Sequence, residues 1–269
     1  MIIPTYNWQF APQVEDADFT KIAKKAGLGP EVARLLFERG IKDETSLKKF
    51  LEPSLEELHD PYLLNDMEKA VERIRHAIEQ GELILIYGDY DADGMTSASI
   101  VKESLEQLGA ECLVYLPNRF TDGYGPNASV YKYFIEQQGV SLIVTVDNGV
   151  AGHEAIDLAQ YMGVDVIVTD HHSMPEDLPD AYAIIHPEHP GADYPFEHLA
   201  GCGVAFKLAC ALLEEVQVEL LDLVAIGTIA DMVSLTDENR IMVQYGLEVL
   251  RNTQRMGLQE MFEIAGISS

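Results

Sequence analysis

A short apolar run followed directly by three aspartates constrains the fold more than any other stretch of this sequence. Residues 83–87 have the length and apolar character of a buried strand, and Gly94 begins a turn that opens a helix. Between them Asp89, Asp91 and Asp93 stand at alternate positions. In an open α/β sheet, ligands bind at the edge formed by the carboxyl ends of the strands. Carboxylates gathered at that edge repel one another unless a cation neutralises them, so we predict a divalent-metal site there.

Three alternatives for the aspartate stretch compete with this interpretation. Residues 89–94 match the first half of an EF-hand loop, but position twelve, which should be a bidentate Glu, is Ile100, and a predicted strand precedes the loop where an EF-hand has a helix. A phosphatase that attacks through an aspartate also carries Asp-x-Asp after a strand, but it does not need the histidines described below. A solvated acidic turn is disfavoured because buried strands seldom end in three carboxylates that lack a partner.

Length and composition indicate an ordinary globular protein. The 269 residues suffice for one or two domains. No apolar run approaches the ~18 residues of a membrane span, and the start of the chain has no basic region or signal core, so we expect a cytoplasmic protein without membrane contact. Cys112, Cys202 and Cys210 are odd in number and lack a Cys-x-x-Cys pair, and we expect them to be reduced core residues.

The net charge argues against a basic nucleic-acid-binding surface. Lys and Arg number 18 against 45 Asp and Glu, for a net charge of −27. A protein that holds nucleic acid through its own surface is normally basic. If the substrate is a nucleic acid, the attraction must come from bound metal ions, from a few local cations, or from parts of a longer protein.

The first 65 residues predict a helical N-terminal segment. Residues 16–20 can cap a first helix, Gly29-Pro30 opens a second, and 46–51 form a third. Two prolines then break the helical pattern, and we predict a domain boundary near Asn65, with a second domain over 66–269. We expect the basic residues of the first segment to form a solvated face.

From residue 66 onward, short apolar strands alternate with helices, and this pattern predicts the fold class. It is typical of an α/β protein with a doubly wound, largely parallel sheet flanked by helices. Here the sheet follows the helical N-terminal segment and precedes a helical C-terminal part. The predicted strands cover 83–87, 112–116, 141–146 and 165–169, with 182–185 as a candidate fifth; the predicted helices cover 66–80, 97–108, 129–138, 152–162 and 223–233.

Functional side chains follow the predicted strands at the points where they end. A loop at 117–125 follows the second strand, Asp147-Asn148-Gly149 follows the third, and Asp170-His171-His172 follows the fourth. Carboxylates with imidazoles suit Mn²⁺, Fe²⁺ or Zn²⁺, and a mostly oxygen donor set favours manganese or magnesium over zinc. Adjacent histidines on an extended backbone point to different sides. One can therefore bind metal while the other faces substrate.

Two later stretches carry further candidates. The run at 223–233 is nearly all apolar but contains Asp231. A buried carboxylate costs several kcal/mol without a partner, so Asp231 needs a cation unless it ends the helix at the surface. The loop at 186–203 holds His186, His189 and His198 among prolines and glycines. Loop histidines are commonly solvated, and we expect most of these to lie outside the site.

Taken together, these motifs resemble the DHH superfamily of phosphoesterases over nearly the whole chain. The Asn118-Arg119 loop favours the branch that degrades single-stranded DNA over relatives that act on nanoRNA, cyclic dinucleotides or pyrophosphate. The motifs that carry the resemblance are Leu58-His59-Asp60-Pro61, Met67-Glu68-Lys69-Ala70, Asp89-Tyr90-Asp91-Ala92-Asp93-Gly94, Pro117-Asn118-Arg119, Asp122-Gly123-Tyr124-Gly125, Val146-Asp147-Asn148-Gly149, Asp170-His171-His172, Leu199-Ala200-Gly201, Gly203-Val204-Ala205 and Asp222-Leu223-Val224-Ala225 through Asp231.

The resemblance implies a site with two ions, typically Mn²⁺, with Mg²⁺ as the alternative. Asp93 and Asp147 are the implied bridging ligands and, with His172, the implied catalytic residues; His172 would meet the scissile phosphate. Asp89 and Asp170 are held as ligands of second rank or as orienting residues. The remaining implied metal ligands are Asp91, His171 and Asp231, and the remaining implied substrate contacts are Asn148, Arg119 and Asp170.

The resemblance also implies the reaction. It is a 5′→3′ exonuclease that releases 5′-mononucleotides from single-stranded DNA in repair and recombination, with a single-stranded-DNA-binding protein and a helicase as further partners. Two alternatives stay open: a phosphodiesterase for short oligonucleotides or cyclic dinucleotides, and a non-catalytic scaffold. Relatives carry a DHH-associated domain and often an OB-fold, neither of which is visible before Ser269. We therefore expect a catalytic domain at 66–269 that belongs to a fragment or to a short relative.

Overall fold

The computed structural model describes residues 17–191 and 193–267. Its contacts divide the chain into two compact units, one that extends to Ser54 and one over Leu55–Ser269. The domain boundary near Asn65 stays a prediction. Within the described ranges, no helix combines the length and the apolar character that crossing a membrane requires.

Over residues 17–54, the described part of the first unit, the chain forms three short helices, as predicted. They are α1 (Ala17–Lys25), α2 (Pro30–Glu38) and α3 (Glu44–Leu51). Their apolar faces bury a small core that includes Phe19, Leu36 and Leu47. The predicted cap at Asp16 lies outside the described residues. Helix α3 begins two residues before the predicted start because Asp43 and Ser46 form a reciprocal capping box.

The second unit is built on one five-stranded sheet in which every pairing is parallel. The strands lie in the order β2-β1-β3-β4-β5. Because the chain runs outward from β1 to β2 and then returns to the other side of β1, the topological switch point lies between β1 and β3. The strands are β1 (Leu83–Tyr87), β2 (Cys112–Tyr115), β3 (Val140–Val146), β4 (Asp165–Thr169) and β5 (Ala183–Ile185).

Helices cover both faces of the sheet, so the predicted doubly wound α/β class is confirmed. Alternate residues of one strand enter different cores: Ile84 and Ile86 pack on one side, and Leu85 and Tyr87 on the other. The helices are α4 (Met67–Gln80), α5 (Ala92–Gln107), α6 (Ala128–Tyr133), which continues as a π-helical turn over Phe134–Gln138, α7 (His153–Tyr161), α8 (Gly201–Leu213), α9 (Leu221–Asp231), α10 (Asp237–Arg251) and α11 (Met256–Ala265).

One predicted boundary is wrong in a way that matters for the site. Helix α5 begins at Ala92 and not at Ser97. The Asp91 carboxylate accepts hydrogen bonds from the main-chain N–H groups of Asp93 (2.9 Å) and Gly94 (3.0 Å), which caps the helix five residues earlier. Asp93 therefore lies in the first turn of the helix and not in a loop.

Candidate metal centre

The predicted metal ligands meet at the carboxyl edge of the sheet, beside the switch point. They arrive from five places: the loop after β1, the first turn of α5, the ends of β3 and β4, and the last turn of α9. Asp147 is the first residue after β3, with a left-handed φ of 61°. The side chains brought together are those of Asp89, Asp91, Asp93, Asp147, His171 and Asp231.

These side chains form two groups with no residue in common, each of which could hold a cation, and a third group of Asp147, His171 and His172 shares one residue with each of them. Donor atoms of Asp93, His171 and Asp231 all lie within 4.8 Å of one another, and so do those of Asp89, Asp91 and Asp147. The His171 Nε2 atom connects the two groups: it lies 3.6 Å from Asp93 Oδ2 in its own group and 3.1 Å from Asp147 Oδ1 in the other.

Two of the central atoms are buried without a hydrogen-bond partner. They are His171 Nε2 and Asp147 Oδ1, whose separation of 3.1 Å does not have hydrogen-bond geometry. Buried polar atoms in proteins are normally hydrogen-bonded, and those that are not need a missing partner. A set of carboxylate oxygens with one imidazole nitrogen is the donor set of Mn²⁺ or Mg²⁺ more than of a structural zinc ion. The residues therefore fit a divalent cation.

The carboxylates of the site are buried close together, and the side chains around them supply too little positive charge to balance them. Burial, together with the nearby Asp93, raises the pKa of Asp147 to about 8, although His171 acts to lower it. Burial also raises the pKa of Asp93 and of Asp89. For His171, burial lowers the pKa, but the carboxylates around it outweigh this effect and raise the pKa to about 9. Bound cations would relieve the same repulsion between like charges.

Small residues and helix ends allow the carboxylates to approach closely. The N-terminus of α8 donates two main-chain hydrogen bonds to Asp93, from Gly201 (2.7 Å) and Cys202 (2.9 Å). A Cβ atom on Gly201 would lie 2.4 Å from Asp147 Oδ1, and one on Gly227 would lie 2.7 Å from Asp93 Oδ1. The glycines of α8 and α9 thus give the carboxylates room.

His172 has different partners from its neighbour. Its Nδ1 atom lies 2.8 Å from Asp170 Oδ1, and its Nε2 atom lies 2.9 Å from the Tyr124 hydroxyl. The hydrogen bond with Asp170 raises the pKa of His172 against the effect of burial. The His172 side chain is 41% exposed, so it is accessible at the edge of the site.

Asp170 organises this loop from a buried position. Its Oδ1 atom also accepts from the main-chain N–H groups of His171 and His172, and its Oδ2 atom accepts from that of Val150. Burial alone would raise the pKa of Asp170, but its bonds with His172 and Val150 hold the pKa below the ordinary value. These contacts hold the main chain of His171 and His172 and the ring of His172 in place.

Two predicted substrate contacts lie in contrasting surroundings. Asn148 is buried, and its amide nitrogen donates to the carbonyl oxygens of Val146 (2.9 Å) and Tyr87 (3.3 Å), so it ties β1 to β3. Arg119 lies in the loop after β2, with its guanidinium 4.9 Å from the centroid of the Tyr90 ring. Beside Arg119, the Phe120 side chain is 91% exposed.

Sequence reasoning missed two contacts of His172. Tyr124 lies within a motif that the sequence singled out, but its role was not assigned. His186 was grouped with solvated loop histidines, yet it is buried, with its Nε2 atom 2.8 Å from the carbonyl oxygen of His172. The one signal for His186 was its position directly after a strand. Among the described residues, His189 and His198 are not in the metal-binding groups.

Comparison with known proteins agrees with this geometry. Residues 83–228 match the model of the DHH family, N-terminal domain, which is more than half of the chain. The chain belongs to the DHH family. Among curated DHH relatives, it is 47% identical over 267 residues to the single-stranded-DNA-specific exonuclease RecJ of Bacillus subtilis, and 39% identical over 258 residues to RecJ of Escherichia coli.

Solved structures of RecJ share the fold. The chain superposes on a crystal structure of RecJ in complex with Mn²⁺ from Thermus thermophilus with a TM-score of 0.77 at 31% identity, over 94% of this chain and 36% of that one. A crystal structure of exonuclease RecJ bound to manganese gives a TM-score of 0.70 at 33% identity, over 80% of this chain and 55% of that one.

The match covers only part of these relatives. It spans 99% of this chain but 34% of the Bacillus subtilis protein, and 89% of this chain but 44% of the Escherichia coli protein. The match to the family model, over residues 83–228, includes Asp89, Asp91, Asp93, Asp147 and His171 and ends before Asp231.

Proposed function

We propose that this chain carries the catalytic site of a single-stranded-DNA-specific exonuclease that hydrolyses phosphodiester bonds with two divalent metal ions, Mn²⁺ or Mg²⁺. The observation that carries this proposal is the pair of neighbouring donor groups on either side of the contact between His171 Nε2 and Asp147 Oδ1, two buried atoms that lack a hydrogen-bond partner. The RecJ structures solved with Mn²⁺ and with Mg²⁺ support the choice of ions.

Each donor group would hold one ion. Asp93, His171 and Asp231 form the first group, and Asp89, Asp91 and Asp147 form the second. Asp93 and Asp147 face His171 from the two groups and are the candidates to bridge them. Two such ions, when bound, lower the pKa of a water molecule and stabilise charge on phosphoryl oxygens.

His172 would act on the substrate and not on the metals. Asp170 raises the pKa of His172, which favours the protonated imidazole as a donor. The Nε2 atom is directed to the exposed side, where a phosphoryl oxygen of the substrate could replace the Tyr124 hydroxyl. A donor fixed in advance at that position stabilises the negative charge that grows on the phosphoryl group.

The finer features of the proposed reaction are those that the resemblance to the DHH family implies. The 3′-oxygen would leave, so that 5′-mononucleotides depart and digestion runs 5′→3′. Asn148 would keep the loop after β3 in place, and Arg119 would contact the DNA backbone. With a net charge of −27, attraction for DNA would come from the bound ions, from a few local cations such as Arg119, or from parts of a longer protein. A role in repair and recombination would place the chain in the cytoplasm, with a single-stranded-DNA-binding protein and a helicase as partners.

Digestion of a 5′-labelled single-stranded oligonucleotide with Mn²⁺ tests the proposal. A dinucleotide substrate and the Asp147→Ala variant are included in parallel. We expect labelled mononucleotide to appear first from the long strand, and the variant to be inactive. Cleavage of the dinucleotide alone would favour the phosphodiesterase for small substrates. A metal-replete chain that cleaves neither substrate would favour a scaffold.

A further inference from the structure

His186 is a buried histidine outside both metal-binding groups, and it joins two loops of the site. It is the first residue after β5 and is 0% exposed. Its Nε2 atom lies 2.8 Å from the carbonyl oxygen of His172, in the loop after β4. Its Nδ1 atom accepts a hydrogen bond of 3.0 Å from the main-chain N–H of Glu188.

These two partners define where the proton of the imidazole lies. A main-chain N–H can only donate, so the Nδ1 atom of His186 must be the unprotonated acceptor. The proton of the neutral ring is then on Nε2, which donates to the His172 carbonyl oxygen. Both ring nitrogens are used, and the ring has one orientation that satisfies them together.

We propose that His186 is a positioning residue for the reaction: through its hydrogen bond to the His172 carbonyl oxygen, it fixes the main chain that directs the His172 imidazole at the substrate. The inference rests on the proposed function of His172. Asp170 holds the imidazole of His172 and the N–H side of its backbone, at 2.8 Å and 3.1 Å. His186 holds the carbonyl side, so the residue is fixed from both directions.

The hydrogen bonds around His186 also link the ends of two neighbouring strands, β4 and β5. The main-chain N–H of Asp170 donates to the carbonyl oxygen of Ile185 (3.2 Å), the residue before His186. The ends of β4 and β5 are thus joined once by the backbone and once by the His186 ring. Loss of the ring contact would leave the backbone pairing in place, so the expected effect is on the direction of His172 and not on the fold.

Two substitutions separate the two hydrogen bonds of the His186 ring. The amide group of asparagine reaches about as far as Nδ1, so His186→Asn can still accept from the Glu188 N–H but cannot reach His172. The amide of glutamine reaches about as far as Nε2, so His186→Gln can still donate to the His172 carbonyl oxygen. His186→Asn therefore removes the hydrogen bond to His172, and His186→Gln retains it, so the two variants together test that one bond.

We expect His186→Asn to lower kcat on single-stranded DNA by about 10- to 100-fold, the usual cost of losing a partner that orients a functional group. KM, Mn²⁺ affinity from titration and Tm should stay close to those of the wild type. His186→Gln should recover most of the lost kcat. In a His172→Ala background, His186→Asn should cause no further loss, because the residue acts through His172.

A second measurement does not depend on activity. In ¹⁵N-histidine NMR spectra of the metal-free or Mg²⁺-loaded chain, His186→Asn should shift the imidazole signals of His172, and His186→Gln should leave them near their wild-type positions. Equal kcat for the two variants, a loss that persists without His172, or unchanged His172 signals in His186→Asn would overturn the inference. If the wild-type chain does not digest DNA, the proposed function fails, and the NMR comparison still decides the role of His186.

Discussion

The two neighbouring histidines of the Asp170-His171-His172 motif have different contacts, which support the different roles proposed for them. His171 directs Nε2 at Asp147 and Asp93, whereas His172 contacts Asp170 and Tyr124. Their ring centroids are 4.6 Å apart, so the same short loop serves both roles. The sequence predicted this division because adjacent side chains of an extended backbone point in different directions.

Substitution of His172 should separate turnover from metal binding. We expect His172→Ala to lower kcat by about 10²-fold or more, since it removes a donor that stabilises charge in the transition state. Mn²⁺ affinity should remain near the wild-type value because the ring of His172 is held by Asp170 and Tyr124. Steady-state kinetics and Mn²⁺ titration check this.

The control for His172→Ala is Asp147→Ala, which should lose both Mn²⁺ affinity and turnover. A His172→Ala variant that lost metal affinity in proportion to kcat would contradict the assigned role.

The direction of buried polar side chains could not be predicted from the sequence. The amide nitrogen of Asn148 donates to the carbonyl oxygens of Val146 and Tyr87, a contact that the sequence did not reveal, and its contact with substrate stays a prediction. His186 was expected in solvent and is fully buried. Local spacing shows that a residue follows a strand, whereas its partners come from strands and loops that are distant in sequence.

At the scale of elements, the site depends on how two helices begin. The start of α5 is set by the Asp91 cap, a local hydrogen bond that the hydrophobic pattern of the helix did not reveal. The start of α8 lies against Asp93 through the N–H groups of Gly201 and Cys202, a contact between residues more than 100 positions apart. The sequence predicted each motif but not that they touch.

Substitution of two glycines in α8 tests whether the site requires the close approach of the α8 main chain to the Asp147 carboxylate. We expect Gly201→Ala to lower Mn²⁺ affinity by about 10-fold or more, because its Cβ atom would lie 2.4 Å from Asp147 Oδ1 and would displace that ligand. Gly203→Ala is the matched control, since its Cβ atom meets nothing closer than the Leu199 side chain at 3.2 Å. Mn²⁺ titration of both variants checks the prediction, and equal affinities would refute it.

At the scale of the whole molecule, the alternation of strands and helices predicted the parallel α/β sheet, including the short fifth strand. Strands β1, β2 and β5 are continuous apolar runs and β3 and β4 are mostly apolar, and that signal is local. The order of the strands was not predicted, because it depends on which side of β1 the chain returns to. The position of the site at the switch point follows from that order.

The stability of the metal-free chain should fall as the pH rises from 7 to 9. The folded-state pKa values of Asp147 (about 8) and His171 (about 9) lie above the values near 4 and 6.5 expected in the unfolded chain. The folded state therefore binds more protons, and raising the pH removes that advantage. We expect Tm in a chelator to decrease over this range, and Mn²⁺ to raise Tm most at the high end.

The variant Asp147→Asn provides the control for this pH dependence. It removes one of the groups that titrate, so its Tm should depend less on pH. A metal-free wild-type chain whose Tm rises between pH 7 and 9 would show that the carboxylates are not held in the repulsive arrangement described here.

The most direct test of the proposed two-metal centre is anomalous X-ray diffraction from crystals of this chain grown with Mn²⁺, measured at the manganese absorption edge. We expect two anomalous peaks at the carboxyl edge of the sheet, one within the group Asp93, His171 and Asp231 and the other within the group Asp89, Asp91 and Asp147. A single peak under saturating Mn²⁺, or peaks only at other acidic residues, would contradict the account.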